Sequence, residues 1–116
     1  MLFVSGTASI VGHRSLHAGD VVAQTRETLA NLAAVFAEAE RLVSPGAFPR
    51  GEASYKVYVR RPADAPAIRR EVTAALGDDA DAVYLRADIC RSDLLVEIEA
   101  VAWSGVDARR EKARGR

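Results

Sequence analysis

Two carboxylates, Glu97 and Glu99, sit in the stretch ADICRSDLLVEIEAVAW, alternating with Val96, Ile98 and Ala100 and following Leu94 in the same phase. A period of two is that of a β-strand with one face in a core and the other outside it. An ionised carboxylate buried without a partner costs several kcal/mol. Glu97 and Glu99 therefore face either open water or a working surface. On a partly dry sheet face a carboxyl group can serve as a general acid near neutral pH, and Glu97 is the candidate for that role. The competing reading makes Glu97 a solvated strand residue, or one paired across strands with Arg86. Glu99 reads as an ion-pair or interface residue.

Other reactive side chains are few. Cys90 is the one cysteine of the chain. It has no base beside it in sequence, so it reads as a pocket-lining residue or a small buried hydrophobe rather than a nucleophile. His13, His17 and Asp20 fall short of the three or four ligands on a firm frame that a divalent site needs, so no metal is expected. No cofactor is implied. Arg60-Arg61, Arg69-Arg70 and Arg109-Arg110 lack aromatic interleaving and read as solvated surface.

The whole chain sets bounds on these candidates. Its 116 residues suit one domain, and 16 basic against 16 acidic side chains leave a formal net charge of zero. That balance gives no field favouring nucleic acid or anionic lipid. No apolar run approaches the ~18 residues of a membrane span, and Met1 leads into LFVSGTASIV without a signal-peptide pattern. The expectation is a cytoplasmic domain over residues 1–106, with a charged, frayed tail over 107–116.

The elements that must position these residues follow from periodicity. Leu2 to Val11 alternates like a strand, with Gly6 marking a bulge or the close approach of a backbone or ligand. Asp20 is placed to cap a helix over Val21–Leu42, whose stripe is Val22, Thr25, Leu29, Leu32 and Phe36, extended to Val43. Ser44-Pro45-Gly46 stops it. Tyr55, Val57 and Val59 mark a second strand. Asp64 is placed to cap a second helix from Ala65 to a stop at Gly77, with Ile68, Val72, Ala75 and Leu76 inward. A third strand runs through Val83, Leu85, Ala87 and Ile89. The short Arg91-Ser92-Asp93 turn predicts an antiparallel hairpin with the Glu97 strand. Two right-handed strand-helix-strand units put both helices on one face of a mixed sheet, an α+β arrangement. The opposite face would then collect Ser5, Thr7, Ser9, Tyr84, Arg86, Asp88, Cys90, Glu97, Glu99 and Trp103. Such a face suits an interface with a pocket.

FVSG at Phe3 to Gly6, AQTRETLANLAAV at Ala23 to Val35, YKVYV at Tyr55 to Val59 and LVEIEAVA at Leu95 to Ala102 resemble the RidA/YjgF family of reactive-intermediate deaminases. The resemblance implies a chorismate-mutase-like fold, a barrel-like homotrimer and small-molecule pockets between subunits. It also implies enamine or imine deamination. An ungapped count places Ala82 where those deaminases carry a carboxylate-binding arginine, and Arg86 or Arg91 would have to substitute.

GTASIVGH at Gly6 to His13, HAGD at His17 to Asp20 with Gln24, and ADICRSDLLVEIE at Ala87 to Glu99 are similar to the carboxy-terminal domain of chorismatases, also described as pteridine-dependent dioxygenase-like proteins. This resemblance makes Glu97 the acid acting on the enolpyruvyl ether of chorismate, with pyruvate as a product. Ala8 and Cys90 would line the pocket and help choose between hydrolysis and formation of a hydroxybenzoate, with Thr7, Arg86 and Tyr84 as further substrate contacts. The substrate would be a small cyclic carboxylate. A homotrimer or a partner domain would cover the polar face. A non-catalytic ligand-binding or assembly role for the same domain stays open.

Overall fold

The computed structural model describes residues 1–7, 10–11, 14–15, 19–89 and 94–103. Ala8, Ser9, His13, His17, Cys90, the 91–93 turn and the 107–116 tail lie outside the described residues. In chain order the elements are β1 (Leu2–Thr7), β2 (Ile10–Val11), β3 (Arg14–Ser15), α1 (Val21–Leu42), β4 (Ser54–Val59), α2 (Ala65–Leu76), β5 (Asp81–Arg86) and β6 (Val96–Ala102). The main sheet has the order β1-β6-β4-β5, with β6 antiparallel to both neighbours and β4 parallel to β5.

The helices form where their periodicity places them. Asp20 caps α1 by accepting the Ala23 N–H at 3.0 Å. The inward stripe of α1 includes Thr25 and Thr28, whose hydroxyls donate to the Val21 and Gln24 carbonyls at 2.7 Å, so neither is buried without a partner. Leu29, Leu32 and Phe36 complete that stripe, and Ile68 and Val72 do the same for α2. They meet Tyr55, Val57 and Val59 of β4 and Val96, Ile98 and Ala100 of β6 in one core. An Arg26–Glu71 fork at 3.0 and 3.1 Å joins the two helices at the surface. α2 ends at Gly77, whose φ of +97° other residues rarely adopt.

Several expectations are corrected. The stretch predicted as one strand from Leu2 to Val11 contributes to two sheets: β1 lies in the main sheet, and Ile10–Val11 pairs with Arg14–Ser15 as a separate two-stranded sheet. β5 and β6 are not a hairpin, because the chain passes the end of β4 and inserts β6 between β1 and β4. Val43 and Ala75 are exposed rather than inward: Val43 is the C-cap residue of α1, and Ala75 lies off the buried stripe of α2. Asp64 holds the N-cap position of α2 without a side-chain capping bond.

Candidate functional site

Register decides what shares the sheet face away from the helices. Lys56 pairs with Glu99 and Tyr58 with Glu97 across β4 and β6, while Val83 and Leu85 of β5 pair with Lys56 and Tyr58. Paired residues point to the same side of a sheet. The open face thus carries the rows Glu99-Lys56-Val83 and Glu97-Tyr58-Leu85. A third row, Phe3-Val101-Ser54-Asp81, lies beyond them. Val96, Ile98, Ala100 and Ala102 are buried on the other side, as the alternation predicts.

Glu97 and Glu99 are half-buried and line a depression of about 260 Å³ with Ser5, Tyr58, Ala87 and Asp88. The Tyr58 hydroxyl donates to Glu99 Oε2 at 3.3 Å, and Lys56 Nζ stands 4.0 Å from the same oxygen. Desolvation first, then the Glu99 and Glu97 carboxylates, push the Tyr58 phenol above its ordinary range. Tyr58 is therefore a neutral donor at neutral pH. The depression offers three carboxyl groups, one phenolic O–H and one serine hydroxyl on one surface, a set suited to proton transfer and to binding an oxygen-rich small molecule. Among the described residues no group of three or more His, Cys, Asp or Glu is placed to hold a metal ion, and no helix is long and apolar enough to cross a membrane.

Of the predicted site residues, Glu97 takes its expected position. Tyr84 and Arg86 do not join it: they pair with Val57 and Val59, so they share the helix-bearing face. There the Arg69 guanidinium lies 4.2 Å from the centre of the Tyr84 ring. Thr7 also changes side. Val4 pairs with Ala100 but Thr7 pairs with Ile98, so one extra residue in β1 forms a bulge and turns Thr7 toward the Ile98 face. Gly6 therefore belongs to a bulge. Trp103 lines a different hollow, of about 420 Å³, with Glu52, Asp79 and Asp81. Ala8 and Cys90 lie outside the described residues. Tyr58 and Lys56 were not singled out from sequence, although their alternation against Tyr55, Val57 and Val59 was the available signal.

No family model matches the chain. A 3-hydroxybenzoate synthase of Streptomyces hygroscopicus is 48% identical over an alignment 103 residues long that covers 86% of this chain and 30% of that protein. The crystal structure of a chorismatase superposes with a TM-score of 0.75 at 44% identity, covering 84% of this chain and 30% of its own. A Rid-family protein of unknown function from Yersinia pestis superposes with a TM-score of 0.71 at 25% identity, covering 88% of this chain and 77% of its own. The chain thus spans about 30% of the length of the curated relatives it matches. It has the fold of RidA/YjgF proteins and is similar to the YjgF-like C-terminal part of chorismatases.

Proposed function

We propose that the open sheet face forms one wall of a site for chorismate or a related cyclic carboxylate, with Glu97 as general acid on the enolpyruvyl ether. The observation that supports it is the placement of Glu97 over the depression it shares with Tyr58, on the one sheet face that neither helix covers. Similarity to a chorismatase and a 3-hydroxybenzoate synthase supplies the substrate class.

The chemistry balances with one acid. The Glu97 carboxyl donates its proton to the terminal methylene carbon of the enol ether, leaving an oxocarbenium ion beside the new carboxylate. Water adds to the oxygen-bearing carbon of that cation and returns a proton to Glu97. The resulting hemiketal collapses, its hydroxyl proton passing to the ring oxygen as the bond between that oxygen and the side-chain carbon breaks. The products are pyruvate and the ring alcohol. Tyr58 and Ser5 supply neutral hydroxyls at the same surface, and Ala8 and Cys90 remain the candidates for steering toward a hydroxybenzoate. Further copies in a homotrimer, or a partner domain, complete the cleft.

The test is pyruvate release from chorismate, followed by a coupled assay. Release by wild type above buffer, and at least about 100-fold less by Glu97→Gln, is expected of a lost general acid. Equal release by the two proteins removes Glu97 from its role. The second reading is a non-catalytic binding module. It predicts that chorismate or 3-hydroxybenzoate raises the melting temperature without turnover. The deaminase reading predicts faster hydrolysis of freshly generated 2-imino acids than in buffer. Against it, Ala82 pairs with Tyr55 on the helix-bearing face.

A further inference from the structure

Three hydrogen bonds converge on the start of β6 and a fourth holds Ile89 nearby, each involving Arg60 or Gln24. Arg60 Nε donates to the Leu94 carbonyl at 2.7 Å and Nη2 to the Ile89 carbonyl at 2.6 Å. The Arg60 backbone N–H donates to the Leu95 carbonyl at 3.2 Å. The Leu95 N–H in turn donates to Gln24 Oε1 at 2.8 Å, and Gln24 is fully buried in α1. One guanidinium therefore ties together two points of the chain that flank residues 90–93, and a buried amide holds the next residue.

We propose that Arg60, acting with Gln24, is the positioning residue for Glu97. It fixes the phase in which the chain enters β6, and so decides that Val96 turns into the core and Glu97 outward. The need for such a device lies in the period of the strand. A slip of one residue would carry Glu97 and Glu99 into the core and Val96 and Ile98 out of it. At this end the ladder offers less than elsewhere, because β1 is bulged between Val4 and Thr7 and its last recorded partner on β6 is Ile98. Glu97 is held in register by Tyr58 of β4 alone among the described pairings. The planar fork of an arginine can reach two carbonyls at once, whereas a lysine ammonium carries no such preset geometry. Arg60 is thus a structural clamp rather than the solvated surface charge its doublet with Arg61 suggests. Its catalytic consequence rests on the proposed reaction; its effect on β6 does not.

The test is native-state amide hydrogen exchange on the full chain, comparing wild type with Arg60→Gln, Arg60→Lys and the exposed neighbour variant Arg61→Gln. Arg60→Gln is expected to speed exchange at residues 95–98 by about tenfold or more, with Val57 and Leu32 within about twofold of wild type. Arg60→Lys should restore part of the protection, and Arg61→Gln should match wild type. Unchanged exchange at Leu95 in Arg60→Gln overturns the proposal, as does an equal rise at every core amide, which would give Arg60 a share in global stability only. In the pyruvate assay Arg60→Lys should lower kcat and leave KM within about twofold, since a displaced acid impairs chemistry more than binding. If wild type releases no pyruvate, the proposed reaction falls and exchange alone decides the clamp.

Discussion

Tyr55 and Tyr58 show how one strand gives the same residue type two environments. Tyr58 looks onto the open face beside Glu97 and Glu99, while Tyr55 is 2% exposed in the core and its hydroxyl donates to the Arg50 carbonyl. Burial pushes the Tyr55 phenol up to about 12, against an ordinary value of 10, and Arg50 pulls weakly the other way. The folded state therefore holds a proton that the unfolded chain releases first. Stability from this group is intact below about pH 10 and is lost as the pH rises through about 12. Urea unfolding at about pH 9 and pH 11.5 should show Tyr55→Phe losing about 2 kcal/mol less than wild type over that interval. Equal losses would place the alkaline sensitivity elsewhere. Parity at single residues was legible where one face is clearly apolar, as around Glu97. It failed for Tyr84 and Arg86 because Val83 and Leu85, the apolar residues of β5, face outward, at 51% and 38% exposure. A tyrosine with an apolar ring and a polar tip suits either side, so the parallel register with β4 decided the matter.

At the level of elements, both helices could be read almost residue for residue, since their stripes, the Asp20 cap and the glycine stop are local signals. Strand neighbours could not. The order β1-β6-β4-β5 depends on the last strand returning to the middle of the sheet, and no local pattern near residues 87–95 records that return. The bulge in β1 left only a mid-strand glycine as its trace. Gly77 gives a test at this scale. A Cβ there would meet nothing within 4 Å, so any cost of Gly77→Ala comes from its φ of +97°. A non-glycine residue in such a conformation costs about 1–3 kcal/mol. Gly77→Ala should lower the unfolding free energy by about that amount without altering the denaturant slope; a change below about 0.5 kcal/mol would show that the turn relaxes to accept the side chain.

For the molecule as a whole, the composition of the open face bears on what covers it. Phe3, Val83 and Leu85 are exposed there at 54%, 51% and 38%, interleaved with Glu97, Glu99 and Lys56. Apolar residues at this density favour burial against a partner, while the carboxylates restrict its geometry. A two-fold interface pressing this face on itself would bring like charges together in a desolvated seam, which is costly. A closed ring avoids this, because each copy meets a different surface of its neighbour and the depression at Glu97 can stay at the seam. The proposed homotrimer follows that arrangement. Sedimentation of the chain at micromolar concentration should then give three times the 12.5 kDa chain mass. Leu85→Asp, placing a charge on the exposed edge strand, should yield a folded monomer whose far-ultraviolet circular dichroism matches wild type and whose pyruvate release falls with the loss of assembly. A wild-type chain that sediments as a monomer at every concentration would rule out self-assembly and leave a partner domain as the cover for Glu97.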